Sequence, residues 1–71
     1  MRVKLDEQVD AAYIYLVEKY PIPVTTVALS EVLPEMINLD FDADGRLIGI
    51  EVLDARRLLP AEFLDRFANL A

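Results

Sequence analysis

Asp44 and Gly45 sit at the centre of a stretch whose apolar residues mirror one another. An Asp-Gly pair between alternating runs is a strong short-range signal for a β-hairpin, because it suits a two-residue type I′ turn. With that turn, register follows by counting. Phe41 faces Ile48, Leu39 faces Ile50 and Ile37 faces Val52, which sets all three apolar pairs on one face. On the other face Asp42 meets Leu47, Asp40 meets Gly49 and Asn38 meets Glu51. A slip of one residue would mix the two sets, so the hydrophobic pattern itself specifies the pairing.

The same residues satisfy a second pattern. Residues 40–51 fit the EF-hand calcium loop: Asp40, Asp42 and Asp44 alternate, Gly45 follows for the sharp turn, and Glu51 closes the loop as the bidentate ligand. A hard cation wants several oxygens, and four carboxylates supply them. An EF-hand loop lies between two helices, however. Upstream the chain is interrupted by Pro34, and downstream Ile48-Gly49-Ile50 is a poor helix start. The hairpin is therefore the expected structure. A weak calcium site through Asp40, Asp42, Asp44 and Glu51 is the alternative function, and a solvated acidic face is the plainer reading of these carboxylates.

The rest of the chain supplies partners for the hairpin. Residues 1–5 alternate, with Val3 and Leu5 on one side and Arg2 and Lys4 on the other, as in a strand with one wet face. Residues 10–18 are rich in aromatic and branched side chains and read as a strand apolar on both faces. Tyr13, Tyr15 and Val17 line one face, and Ile14 and Leu16 line the other. The C-terminal helix or a second protomer must then cover each face. Asp10, just before this run, reads as a turn-capping carboxylate that accepts backbone N–H groups. Pro21-Ile22-Pro23 is a rigid connector, Val24 to Leu29 a third strand, and Ser30 to Glu35 a loop. Pro60 opens a helix at the position where its missing N–H costs nothing. Phe63, Leu64, Phe67 and Leu70 form its apolar stripe.

Composition narrows the function. The chain has 71 residues with neither Cys nor His. That removes disulfides, thiolate metal sites and the commonest general base. Ser30 has no motif-spaced Lys for a Ser–Lys pair, and two glycines make no phosphate-cradling loop. Carboxylate pairs such as Asp10 with Glu51 or Asp40 carry no specific signature of acid–base work, so no enzyme is expected. Thirteen acidic against seven basic residues give a net charge of −6, which disfavours nucleic acid and anionic membranes and favours a basic protein partner or a bound cation. No run of residues has the length and apolarity of a transmembrane span or the pattern of a signal peptide, and a cytoplasmic location is expected. The apolar fraction of 55% exceeds the roughly 45–50% usual in globular chains and points either to an oligomer or partner surface or to a well-filled small core.

Two blocks also resemble a known family. Asp10-Ala11-Ala12-Tyr13-Ile14 is similar to an Asp-Ala-Leu-Tyr-Ile signature, and Asp42-Ala43-Asp44-Gly45-Arg46-Leu47-Ile48-Gly49-Ile50-Glu51 to an Asp-x-Asp-Gly-x-x-x-Gly-Ile-Glu signature. In this order and at this spacing they resemble the domain-of-unknown-function family 2283, small proteins mostly of bacteria and archaea. The resemblance covers residues 1–56. Ala12 stands where the signature carries a larger apolar residue, and the connector at Tyr20-Pro21-Ile22-Pro23 is atypical. The resemblance implies a β-rich fold and bacterial relatives. It brings no established activity, cofactor or catalytic residue.

The expected fold is α+β: a small antiparallel sheet of four or five strands with one C-terminal α-helix packed on a face. It forms a single domain over 1–71, with a β-rich core at 1–56 and a helical extension at 57–71. The expected function is that of a non-catalytic interaction module acting as a homodimer, in one version as the antitoxin-like partner of a small basic protein.

Overall fold

A computed structural model describes residues 2–19, 22–29 and 36–68. The strands are β1 (Arg2–Asp6), β2 (Ala11–Tyr15), β3 (Thr25–Ala28), β4 (Ile37–Phe41) and β5 (Leu47–Leu53). They form one five-stranded sheet in the order β1-β2-β5-β4-β3, antiparallel at every step. Two short helices follow, α1 (Ala55–Leu58) and α2 (Ala61–Ala68). The fold is α+β, as the alternation of the sequence implies.

The β4–β5 hairpin anchors the sheet, and most of its register is the one obtained by counting. Ile37 pairs with Val52, Asn38 with Glu51, Leu39 with Ile50 and Asp40 with Gly49. The end of the hairpin differs. Phe41 pairs with Leu47 rather than Ile48, and Asp42 closes the turn against Arg46 rather than Leu47. The cause is the turn. Asp42 donates its N–H to the Arg46 carbonyl at 2.9 Å, and Gly45 donates to the Asp42 carbonyl at 3.1 Å. The Asp42 carboxylate accepts the N–H groups of Asp44 and Arg46, each at 2.9 Å. Of the turn residues only Gly45 adopts positive φ, at 78°. This is the three-residue loop that ends in a left-handed glycine, not a two-residue type I′ turn. Its extra residue is absorbed by a bulge opposite Asp40 and Phe41.

β2 lies between β1 and β5. Ala12 pairs with Val52 and Ile14 with Ile50. The strand ends at Tyr15, three residues short of the expected limit, and Leu16 and Val17 are exposed instead of lining two covered faces. The Leu16 N–H still reaches the Ile48 carbonyl at 3.0 Å, one step beyond the Tyr15–Gly49 pair.

One face of the sheet carries the core. Ala12, Val52 and Ala55 are buried together, with Leu5, Ile50, Leu58 and Leu59 packed around them. Ala12 and Ala55 are the small members of this cluster, and α1 packs on β5. The expected single helix is therefore two. Leu59 is extended (φ −100°, ψ 144°), as a residue before proline prefers, and Pro60 restarts the helix as α2. In α2, Phe63, Leu64 and Phe67 are half-buried while Glu62, Asp65 and Arg66 face outward. The rings of Phe63 and Phe67 stack with centroids 4.8 Å apart, one helical turn from each other. Leu70 of the stripe and the loop at 30–35 fall outside the described residues. No large side chain among the described residues is fully buried, so the core is thin.

Candidate functional site

The helices cover one face of the sheet. The opposite face carries a row of polar side chains that the register places side by side: Tyr13 on β2, Gly49 and Glu51 on β5, Asn38 and Asp40 on β4, and Thr26 on β3. Glycine at 49 is the device that lets this row close up. A Cβ there would collide with the Tyr13 ring and hydroxyl, so the phenol lies in the space a side chain would occupy. The Tyr13 hydroxyl donates to one oxygen of Asp40, and the Thr26 hydroxyl donates to the other at 2.7 Å. Beside them the Asn38 amide donates to Glu51 at 2.9 Å. Tyr15 stacks on Tyr13 with centroids 4.6 Å apart, and the Arg2 guanidinium lies 4.1 Å over the Tyr15 ring.

Asp40 is only 7% exposed. It is therefore not part of a solvated acidic face. It is a buried carboxylate held by two hydroxyl donors, as a carboxylate out of water requires. The Tyr13 phenol is pushed well above the usual range. Burial is the main cause, followed by the hydrogen bond to Asp40 and the charge of that carboxylate. A phenol held protonated in this way is a poor general base, and Asp40 has both oxygens engaged.

Three of the four carboxylates of the calcium alternative are engaged elsewhere. Asp40 turns to Tyr13 and Thr26, Glu51 turns to Asn38, and Asp42 is spent on the backbone of its own turn. The loop joins two strands instead of two helices. Among the described residues no group of three acidic side chains is placed to hold a metal ion. Asp10 stands apart from Asp40 and Glu51 in its bonding. It adopts positive φ (53°), its carbonyl accepts the Ala55 N–H at 2.9 Å, and its carboxylate accepts the Arg56 N–H at 3.1 Å and Nε at 3.2 Å. It does accept backbone N–H groups, but those of a helix start 46 residues away rather than of its own turn.

Two further surfaces stand out. A groove of about 430 Å³ runs between β1 and the helices. Leu5, Ala55 and Leu64 are its apolar lining, and its polar lining is Asp6, Glu7 and Asp65 together with the Asp10–Arg56 ion pair, acidic on balance. The other surface is β3, whose four residues are all exposed. Val24, Val27 and Leu29 on this edge are 66%, 44% and 41% exposed, with Ile22 just before them. No charged residue occurs from Ile22 to Leu29. The sequence pattern marked a third strand here but not its place at the edge of the sheet. The signal present was a run of eleven uncharged residues, 20–30, in a chain of which 28% is charged.

No helix among the described residues is long and apolar enough to cross a membrane. Neither a curated protein nor a solved structure matches the chain. A family model for proteins of unknown function matches residues 2–56, which include both signature blocks, the Tyr13–Asp40 pair and Gly49. The chain belongs to this family, DUF2283.

Proposed function

We propose that this protein is a non-catalytic interaction module that acts as a homodimer, and that a small basic protein is its further partner, in the manner of the antitoxin-like half of a pair. The observation that carries the homodimer is the gathering of exposed apolar side chains on the uncharged β3 edge. An edge strand presents unpaired main-chain groups, and folded proteins ordinarily blunt such edges with charge, proline or a covering element. The groove, acidic on balance, supports the basic partner, since a Lys or Arg side chain lays its apolar stem on such an apolar lining and its charge beside such carboxylates. The polar row supports a non-catalytic role, because its acid and its phenol are committed to each other.

Sedimentation velocity across the micromolar range tests the homodimer. The expected result is a concentration-dependent shift from one to two copies. A single species of one copy throughout overturns it. For the basic partner, co-expression with the small basic product of a neighbouring gene is expected to yield a salt-sensitive complex, and no co-purification from any such pair overturns that half.

A further inference from the structure

The hydrogen-bond ladder of β3 dictates how a second copy would join it. Leu29 donates its N–H to the Ile37 carbonyl at 2.9 Å, which directs the main chain of Leu29, Val27 and Thr25 towards β4. The N–H and C=O of Thr26 and Ala28 then point away from the sheet. At the near end the Val24 N–H is taken by Phe41 at 2.9 Å, so the outward run is Thr26 and Ala28. Among the described residues no strand stands on that side, for β3 is last in the sheet order.

We propose that β3 pairs antiparallel with β3 of a second copy about a two-fold axis through Val27. This rests on the homodimer reading above and adds its geometry. Two outward residues admit one symmetric register that uses both. Thr26 exchanges hydrogen bonds with Ala28 of the other copy, Ala28 with its Thr26, and Val27 faces Val27. Val27 is then a non-hydrogen-bonded pair with Cα atoms about 4.5 Å apart, the closer of the two antiparallel spacings. On the same face Leu29 meets Thr25 of the other copy. Part of the exposed surface of Val27 and Leu29 is removed from water, and the two sheets become one continuous sheet.

Charge selects this edge over the other. Each copy carries −6, so a contact between copies is least opposed where neither brings charge, and β3 brings none. The opposite edge, β1, exposes Arg2, Lys4 and Asp6, and α2 packs against it. Symmetric pairing there about Lys4 would set Lys4 against Lys4 of the second copy at the axis, with Arg2 against its Asp6, whereas β3 brings no charge to either position.

The absence of cysteine makes a clean test. Val27→Cys is expected to form an intermolecular disulfide under mild oxidation, since a pair about 4.5 Å apart at Cα lies within the disulfide range of about 4.4–6.8 Å. Lys4→Cys on the other edge is expected to remain unlinked. Ala28→Pro removes only an outward N–H and is expected to weaken self-association by about ten- to a hundredfold, two symmetry-related hydrogen bonds being lost, with an unchanged circular dichroism spectrum. In the unmodified protein, hydrogen exchange at Thr26 and Ala28 is expected to slow as concentration rises. A one-copy species at all concentrations overturns the homodimer reading and this pairing with it. A dimer in which Val27→Cys stays unlinked and exchange at Thr26 and Ala28 is concentration-independent overturns the β3 pairing alone. The exchange measurement decides the matter even if Ala28→Pro fails to fold.

Discussion

The Tyr13 hydroxyl reaches across Gly49 to donate a hydrogen bond to Asp40, joining β2 to β4 over the top of the strand between them. Main-chain bonds link only neighbouring strands, so this side-chain bond ties together three. It also fixes which way the Tyr13 ring lies, and the ring in turn shields the carboxylate from water. Tyr13→Phe keeps the ring and removes the donor. One oxygen of a buried carboxylate is then left unmatched, and the expected loss of stability is about 1–3 kcal/mol. Urea denaturation measures it. A midpoint equal to that of the unmodified protein would show that Asp40 does not depend on Tyr13.

Gly49→Ala attacks the same bond from below. The new Cβ would occupy the place of the Tyr13 hydroxyl and ring edge, and the ring must move off Asp40. Crowding of this kind costs about 1–3 kcal/mol. In a Tyr13→Ala background the clash has nothing to meet, so Gly49→Ala should add little beyond the single change. A double-mutant cycle is the measurement, and additive losses at positions 13 and 49 would contradict the steric account.

These relationships mark where the sequence could be read and where it could not. Alternation of apolar residues is set by the pleat, and it located β1, β4 and β5 and four of the hairpin pairs. The far end of the hairpin failed because Asp-Gly serves two turn types. The choice between them lay with the Asp42 side chain, whose bonds to Asp44 and Arg46 favour the longer loop. Asp40 was read as solvated because alternation assigns it to the polar face, and alternation is blind to a tyrosine two strands away. The clue was Gly49, a strand glycine directly opposite Asp40, which signals a close approach from a neighbour. α1 was missed because four residues are too few to show a helical period.

Tyr13 also makes stability depend on alkaline pH. Its phenol binds a proton more tightly in the folded state, where burial and Asp40 disfavour the phenolate, than in the unfolded chain. The unfolded state therefore releases its proton first. Stability is fully present below the ordinary phenol value of about 10 and declines as pH rises past it. The expected observation is a fall in the urea midpoint above that value that is smaller in Tyr13→Phe. Equal slopes for the two proteins would remove Tyr13 as the cause.

Asp10 holds the start of α1 from the far side of the chain, and the two parts of its role separate by substitution. Asp10→Asn keeps an acceptor oxygen and tolerance for positive φ, and is expected to cost little. Asp10→Ala loses the acceptor that caps Arg56 and strains a backbone at φ 53°, for an expected loss of about 1–2 kcal/mol. The exposed ion pair with Arg56 adds little by itself, so Arg56→Ala should change stability by less than about 1 kcal/mol. Thermal melts of the three variants give the ranking, and an Arg56→Ala loss as large as that of Asp10→Ala would assign the effect to charge instead of capping.

The turn makes the last distinction. Gly45 has open space around it, so any cost of replacing it comes from the backbone alone. At φ 78° Gly45→Ala is expected to cost about 1–2 kcal/mol, Gly45→Val more because its branched Cβ is still less tolerant of that region, and Gly45→Asn least. A two-residue type I′ turn would demand positive φ of Asp44 as well. In the three-residue loop Asp44 has ordinary φ, and its N–H, not its side chain, makes the bond to Asp42. Asp44→Ala should accordingly stay within about 0.5 kcal/mol of the unmodified protein. Denaturation midpoints for the four variants test both halves together. A loss at Asp44→Ala matching that at Gly45→Ala would restore the shorter turn, and with it the pairing of Phe41 with Ile48.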